Sequence, residues 1–215
     1  MGELTSDLPK PLLRVGGIPL IERMINQLVA AGIVELVINI AWQGQKLRDY
    51  LGDGSRLGVT IRWSDEGALP LGTAEGVRRA LPLIGDDLFL LVNGDLIGEI
   101  SFDDLIQEQP DNAQLLLVDN PGHHPAGDFC LVDGLLAGLG TCAEALTYMG
   151  CGVYRSSLFL QSDLANLGPL IKHALDQGLI INGQKLQGWW LDVGTPDRLR
   201  LAEQLLLNPP EPTSG

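Results

Sequence analysis

The apolar positions Leu20, Ile21, Met24, Ile25, Leu28 and Val29 recur at the three-to-four spacing of one helix face. Pro19 suits the first turn and Gly32 the stop, so the pattern predicts a helix over 19–31. The following run, Glu35-Leu-Val-Ile-Asn-Ile-Ala41, is short and almost continuously apolar, as in a parallel strand covered on both faces. Helix and strand then alternate, with a short helix over 43–51, a strand over 59–63, a helix over 74–81 and a second buried strand over 88–92. Such alternation predicts an α/β fold, a doubly wound, Rossmann-like and mostly parallel sheet.

Past Asn93-Gly94-Asp95 the pattern loosens into a smaller α+β half. A helix is expected over 101–107 and strands over 114–118, 128–132 and 148–154. The chain returns to alternation with a helix over 164–177, a strand ending at Trp189-Trp190, and a helix over 196–207 capped by Thr195. The proline-rich residues 208–215 complete the chain as a flexible tail. One domain over 1–207 is the expectation, without internal repeats.

Composition narrows the class of function. At 215 residues and 45% hydrophobic content the chain can bury a full core. Lys and Arg number 14 against 27 Asp and Glu, a surface that repels polyanions and argues against a nucleic-acid partner. Cys130, Cys142 and Cys151 have neither C-x-x-C nor zinc spacing, so they are expected as buried thiols of a reducing compartment. No apolar run reaches the roughly 20 residues of a membrane span, and residues 1–10 lack a signal-peptide core, which predicts a cytoplasmic protein without a membrane partner. Met1-Gly2 with Ser6 fits the loose myristoylation pattern, a match short enough to arise by chance.

Four stretches carry candidate chemistry. Leu88-Phe-Leu-Leu-Val-Asn-Gly-Asp95 sets a carboxylate just past the end of a strand, where open α/β sheets bind ligands; the same residues also suit a plain turn. Asp192, in Trp189-Trp-Leu-Asp-Val-Gly-Thr-Pro196, lies between a strand end and a helix start, with Gly194 as the turn. It is either a second oxygen ligand for a hard cation or a solvated loop acid. Lys10, between Pro9 and Pro11, is either a point charge aimed at phosphates or a surface lysine on stiff, extended backbone. Leu71-Gly-Thr-Ala-Glu-Gly76 would let backbone approach a base or ribose closely, although loop glycines are common.

Taken in order, Pro9-Lys10-Pro11-Leu12, Leu71-Gly72-Thr73-Ala74, Asn93-Gly94-Asp95 and Trp190-Leu-Asp-Val-Gly-Thr-Pro196 resemble the motifs of the sugar-1-phosphate nucleotidyltransferase family. Within it, Val118-Asp-Asn-Pro-Gly-His-His-Pro-Ala-Gly-Asp-Phe129 is similar to a segment of the N-acetylmuramic acid-1-phosphate uridylyltransferases. The resemblance implies that Asp95 and Asp192 hold Mg2+, and that Lys10 and Asp95 are catalytic. It implies that Lys10, Gly72, Thr73, Asn93 and Gly94 bind the nucleotide, and that Asp128 and Gly150 face the sugar. Residues 1–118 would form the nucleotide half and 119–207 the sugar half. The implied partners are a nucleoside triphosphate and a sugar 1-phosphate, and the implied reaction is in-line attack on the α-phosphorus with release of pyrophosphate, in cell-wall recycling.

The chain also departs from the family pattern. Family members open with a buried central strand and a glycine-rich phosphate loop, and Met1-Gly-Glu-Leu-Thr5 stands just beyond that loop. Leu71-Gly72-Thr73-Ala74 follows the wider family rather than the more glycine-rich form of the uridylyltransferases, and Asn166 stands where that subgroup commonly has lysine. A hexose-1-phosphate guanylyl- or thymidylyltransferase, and an impaired binder of sugar nucleotides, therefore stay open beside the uridylyltransferase.

Overall fold

The computed structural model describes residues 7–69, 71–85 and 87–210; the myristoylation-like start and the end of the proline-rich tail lie outside them. In chain order the strands and helices are β1 (Arg14–Val15), β2 (Ile18–Pro19), α1 (Leu20–Ala30), β3 (Glu35–Ile40), α2 (Gly44–Leu51), β4 (Thr60–Asp65), α3 (Thr73–Ile84), β5 (Leu88–Val92) and β6 (Leu96–Gly98). There follow β7 (Ala113–Val118), β8 (Cys130–Val132), β9 (Leu135–Ala137), β10 (Thr147–Arg155), α4 (Ser156–Phe159), α5 (Leu167–Asp176), β11 (Ile181–Lys185), β12 (Trp190–Asp192) and α6 (Pro196–Leu207). The chain builds two compact units, one from Met1–Pro70, Asn93–Phe102 and Gln187–Gly215, the other from Leu71–Val92 and Asp103–Leu186.

In the first unit the apolar face of α1 buries Ile21 and Ile25 against Ile40 of β3, Leu47 and Leu51 of α2 and Ile61 of β4. Leu20 joins a second cluster with Leu13, Val15, Ile97, Val193 and Ala202. Each such side chain contributes about 1.5–3 kcal/mol on leaving water. These clusters therefore fix β6, β12 and α6 around α1, the frame on which the acids of this unit stand. β3 and β4 run parallel from Glu35↔Thr60 to Ile40↔Asp65. β6 and β12 form a separate antiparallel ribbon.

The second unit is a six-stranded sheet in the order β5-β10-β7-β11-β9-β8. β7 is buried at every position, and Ala74, Val77, Leu167, Leu170, Ile171 and Ala174 of α3 and α5 cover Leu115 and Leu117. Phe89, Tyr154 and Phe159 stack at centroid separations of 5.6–6.2 Å.

The α/β class is as expected, but the pairing is mixed rather than mostly parallel. Among the described residues only β3 with β4 and β7 with β11 run parallel, and β10 returns between β5 and β7 antiparallel to both. An apolar run registers burial and carries no mark of direction, which is why the pattern misled. The run over 88–92 is half-buried at each residue rather than fully buried, since β5 is the edge of its sheet. Pro19 is the cap of α1 and not its first residue. The helix expected over 101–107 is reduced to a single 3-10 turn, Leu105–Gln107.

The cysteines also need correction. Cys130 and Cys142, with Cα atoms 5.7 Å apart, form a disulfide, and only Cys151 is a buried free thiol among them. Burial pushes the Cys151 thiol up, away from the reactive thiolate form. The spacing rules examine local motifs, whereas this bond ties β8 to the loop before β10, a tertiary juxtaposition that spacing does not encode.

Candidate active site

In the first unit the ribbon of β6 and β12 does the positioning. Its register pairs Trp190 with Gly98, Leu191 with Ile97 and Asp192 with Leu96. The Val193 N–H then donates to the Asp95 carbonyl at 3.0 Å, closing the ribbon. Two acids separated by 97 positions in sequence thus stand at the same ribbon end, one residue apart in register. Leu96, Ile97 and Val193 are almost fully buried, so apolar side chains on both strands anchor this end.

Each acid carries a cation. Lys10 donates through Nζ to Asp95 Oδ2, and Arg198 donates through Nη1 to Asp192 Oδ1. All four side chains are part-buried, at 21–30% exposure, so water screens these pairs only partly. Pro9 is extended, as its ring requires, but Lys10 opens a 3-10 turn, Lys10–Leu12, that Leu12 N–H closes onto Pro9 at 2.9 Å. Leu12, the last residue of the lysine's turn, and Leu13 after it are buried, which anchors the turn at its C-terminal end. Asn93 is exposed between β5 and the turn at Gly94-Asp95. A Cβ on Gly94 would come within 3.3 Å of Ile21, so the turn packs closely on α1.

Asp192 is the last residue of β12, and its carbonyl accepts the Gly194 N–H at 2.9 Å, closing a tight turn there; Gly194 makes it without a left-handed conformation. The guanidinium of Arg198 lies in the space beside it, 2.3 Å from where a Cβ would stand, an overlap that so flexible a side chain can relieve. Thr195 caps α6 as expected, its Oγ1 accepting from Arg198 N–H at 3.2 Å.

The second unit presents the other candidates. Gly72 caps α3 with φ +94°, and a Cβ would lie 2.7 Å from the Ala165 carbonyl and 2.8 Å from Asn166 Oδ1. Both the conformation and the space therefore demand glycine. Thr73 is the first residue of α3, and the N–H groups of Ala74 and Glu75 donate to the Ala165 carbonyl at 2.9 and 3.1 Å. Arg78 fastens the same loop by donating to the carbonyls of Phe159, Ser162 and Leu164.

Asp128 accepts the Tyr148 N–H at 2.9 Å and meets His124 Nε2 at 3.0 Å. Gly150 lies in the register shift of β10 between Tyr148 and Gly152, with φ +88°. Asp128 thus grips β10 at Tyr148, where the irregularity begins, two residues before Gly150. Tyr154 and Tyr148 share a hydroxyl hydrogen bond of 2.8 Å, and burial pushes both phenols well above their usual range.

A hard cation fits the first-unit acids. Magnesium takes oxygen ligands, commonly one or two carboxylates completed by water and substrate phosphate, and Asp95 and Asp192, at one ribbon end, could supply two on leaving Lys10 and Arg198. Among the described residues no group of three or more His, Cys, Asp or Glu side chains could hold a metal, so a fully protein-made cage is not in question there. Sequence reasoning brought Lys10, Asp95 and Asp192 forward and missed Arg198. Its signal was a cation in the first turn of a helix, where the macrodipole opposes it.

The nucleotidyl transferase family model matches residues 1–133. N-acetylmuramate alpha-1-phosphate uridylyltransferase of Neisseria meningitidis is 42% identical, over 95% of this chain and 92% of that protein. The low-salt glycan biosynthesis nucleotidyltransferase Agl11 of Haloferax volcanii is 30% identical over 95% of this chain, which spans 62% of its length. A crystal structure of a putative glucose-1-phosphate thymidylyltransferase from Bacillus anthracis, in complex with a sucrose, superposes with a TM-score of 0.84 at 20% identity, over 97% of this chain and 90% of that one; it bears on the fold alone. With the acid-bearing ribbon and the glycine-capped α3 in place, the chain belongs to the nucleotidyl transferase family and is a sugar-1-phosphate nucleotidyltransferase.

Proposed function

We propose that this enzyme joins N-acetylmuramic acid 1-phosphate to UTP, releasing pyrophosphate, as a cytoplasmic step of peptidoglycan recycling. The observation that carries the chemistry is the ribbon register that sets Asp192 one residue from Asp95. The choice of sugar and base rests on the 42% identity with the Neisseria relative.

In this reading Asp95 and Asp192 hold Mg2+, which when bound neutralises phosphate charge. Lys10 turns its ammonium from Asp95 to a phosphate oxygen, a point charge worth most where water is scarce. Gly72 and Thr73 line the base and ribose, with Asn93 and Gly94 beside the phosphates, and residues 1–118 make the nucleotide half. Asp128 and Gly150 contact the sugar in the half from 119 to 207. The sugar phosphate's oxygen attacks the α-phosphorus in line as the bond to pyrophosphate breaks, so alignment and neutralisation supply the rate without a covalent nucleophile.

The form Leu71-Gly72-Thr73-Ala74 favours a second reading, a hexose-1-phosphate guanylyl- or thymidylyltransferase. Pyrophosphate release from a matrix of sugar 1-phosphates and nucleoside triphosphates separates the two. The first reading expects the highest kcat/KM with N-acetylmuramic acid 1-phosphate and UTP. Turnover of hexose 1-phosphates with GTP or dTTP, and none with that pair, would replace it by the second.

A further inference from the structure

We propose that Arg198 is a built-in counter-cation for Asp192, one that yields the acid to a metal–triphosphate complex and then binds a phosphate oxygen. The inference rests on the reading of Asp95 and Asp192 as metal ligands. It goes further by assigning Arg198 a role and by predicting that the metal enters with the nucleotide rather than ahead of it.

Three observations carry it. The guanidinium of Arg198 sits on Asp192 Oδ1 while the ammonium of Lys10 sits on Asp95 Oδ2. The four side chains therefore sum to zero charge, and a divalent cation approaching alone must displace two ion pairs to gain two carboxylates. A metal–triphosphate complex meets no such obstacle, because its phosphates accept the displaced cations as the acids take the metal. The second observation is clearance. The Arg198 guanidinium rests in the open space beside Gly194, its Nη2 2.3 Å from where a Cβ would stand, so the glycine leaves the arginine room to lie against Asp192. The third is the position of the arginine. A cation in the first turn of α6 works against the helix dipole, so helix stability does not account for it. Thr195 nonetheless holds that residue by its backbone N–H, fixing the point from which the side chain reaches back over Gly194 to Asp192.

The discriminating measurement pairs two titrations of the full chain, Mn2+ alone and a non-hydrolysable UTP analogue in the presence of Mg2+. Arg198→Gln should bind free Mn2+ about three- to fivefold more tightly, the scale of a lost part-exposed ion pair. The same variant should bind the Mg2+–triphosphate about tenfold more weakly, the scale of a lost charged hydrogen bond. Opposite signs are the signature, since a merely structural arginine would weaken both. Arg198→Lys keeps the charge but not the planar fork, and should move both affinities in the same directions by less. That variant also serves if Arg198→Gln folds poorly. In the double variant Arg198→Gln/Asp192→Asn the gain in Mn2+ affinity should vanish; if it persists, Asp192 is not a metal ligand and the underlying reading falls. If the gain depends on Asp192 but triphosphate affinity is unchanged, or if Arg198→Gln weakens Mn2+ binding, the counter-cation role is overturned while the metal reading stands.

Discussion

The two units build their candidate sites from different materials. In the first, the candidate role falls to charged side chains: Lys10, Asp95, Asp192 and Arg198 form two cation–carboxylate pairs at the end of a ribbon anchored by buried Leu96, Ile97 and Val193. In the second it is carried by backbone shape. Gly72 and Gly150 hold φ values of +94° and +88°, Arg78 donates to three carbonyls of one loop, and even the carboxylate of Asp128 is used on the Tyr148 N–H. Under the proposed function, charge stabilises phosphate during transfer, and shape selects the nucleotide and sugar groups that fit. The two kinds of site should therefore fail differently, the first through kcat and the second through KM and folding.

Isosteric loss of charge tests the first half of that contrast and should give the largest effect. Asp95→Asn and Asp192→Asn should each lower kcat by about 10²- to 10³-fold, the scale of removing one preorganised electrostatic group. Thermal stability should shift by less than about 1 kcal/mol, because part-exposed ion pairs contribute little to folding. A large fall in melting temperature with kcat preserved would mean that the acids are structural. Adding one carbon tests the other half. Gly72→Ala forces a non-glycine residue to φ +94° and drives its Cβ toward the Ala165 carbonyl. It should cost about 1–3 kcal/mol of stability and raise the nucleotide KM more than it lowers kcat. An unchanged KM would remove the α3 cap from the nucleotide site.

The disulfide sharpens the comparison, since it belongs to the second unit but lies outside its candidate residues. Cys130→Ser/Cys142→Ser opens a loop of 12-residue separation, and unfolding by urea should show a loss of about 2–3 kcal/mol. Both kinetic constants should stay near those of the parent at temperatures where the variant is folded. A selective change in sugar KM would instead make the loop before β10 part of the sugar site.

Much of this was legible in the sequence, and the reason lies in what each signal encodes. Leu20, Met24 and Leu28 declare α1 because helical burial repeats within a few residues, and Thr195-Pro196 declares the start of α6 because caps are local. Asp95 and Asp192 were legible one by one as acids at strand ends, but their juxtaposition depends on the pairing of β6 with β12, each only three residues long. Strands so short leave no periodicity to detect. The same limit hid β9, while β11 reads Ile-Asn-Gly-Gln-Lys, with a single apolar residue to mark it. Gly194 was legible as a turn residue because the turn is local: its N–H donates to the Asp192 carbonyl at 2.9 Å.

Crystals grown with Mn2+ and a non-hydrolysable UTP analogue, recorded at the manganese absorption edge, show whether the ribbon end of β6 and β12 is a metal-assisted phosphate site. An anomalous peak is expected within about 2.3 Å of a carboxylate oxygen of both Asp95 and Asp192, with triphosphate oxygens completing the coordination. A manganese peak bound by triphosphate and touching neither aspartate would contradict that assignment.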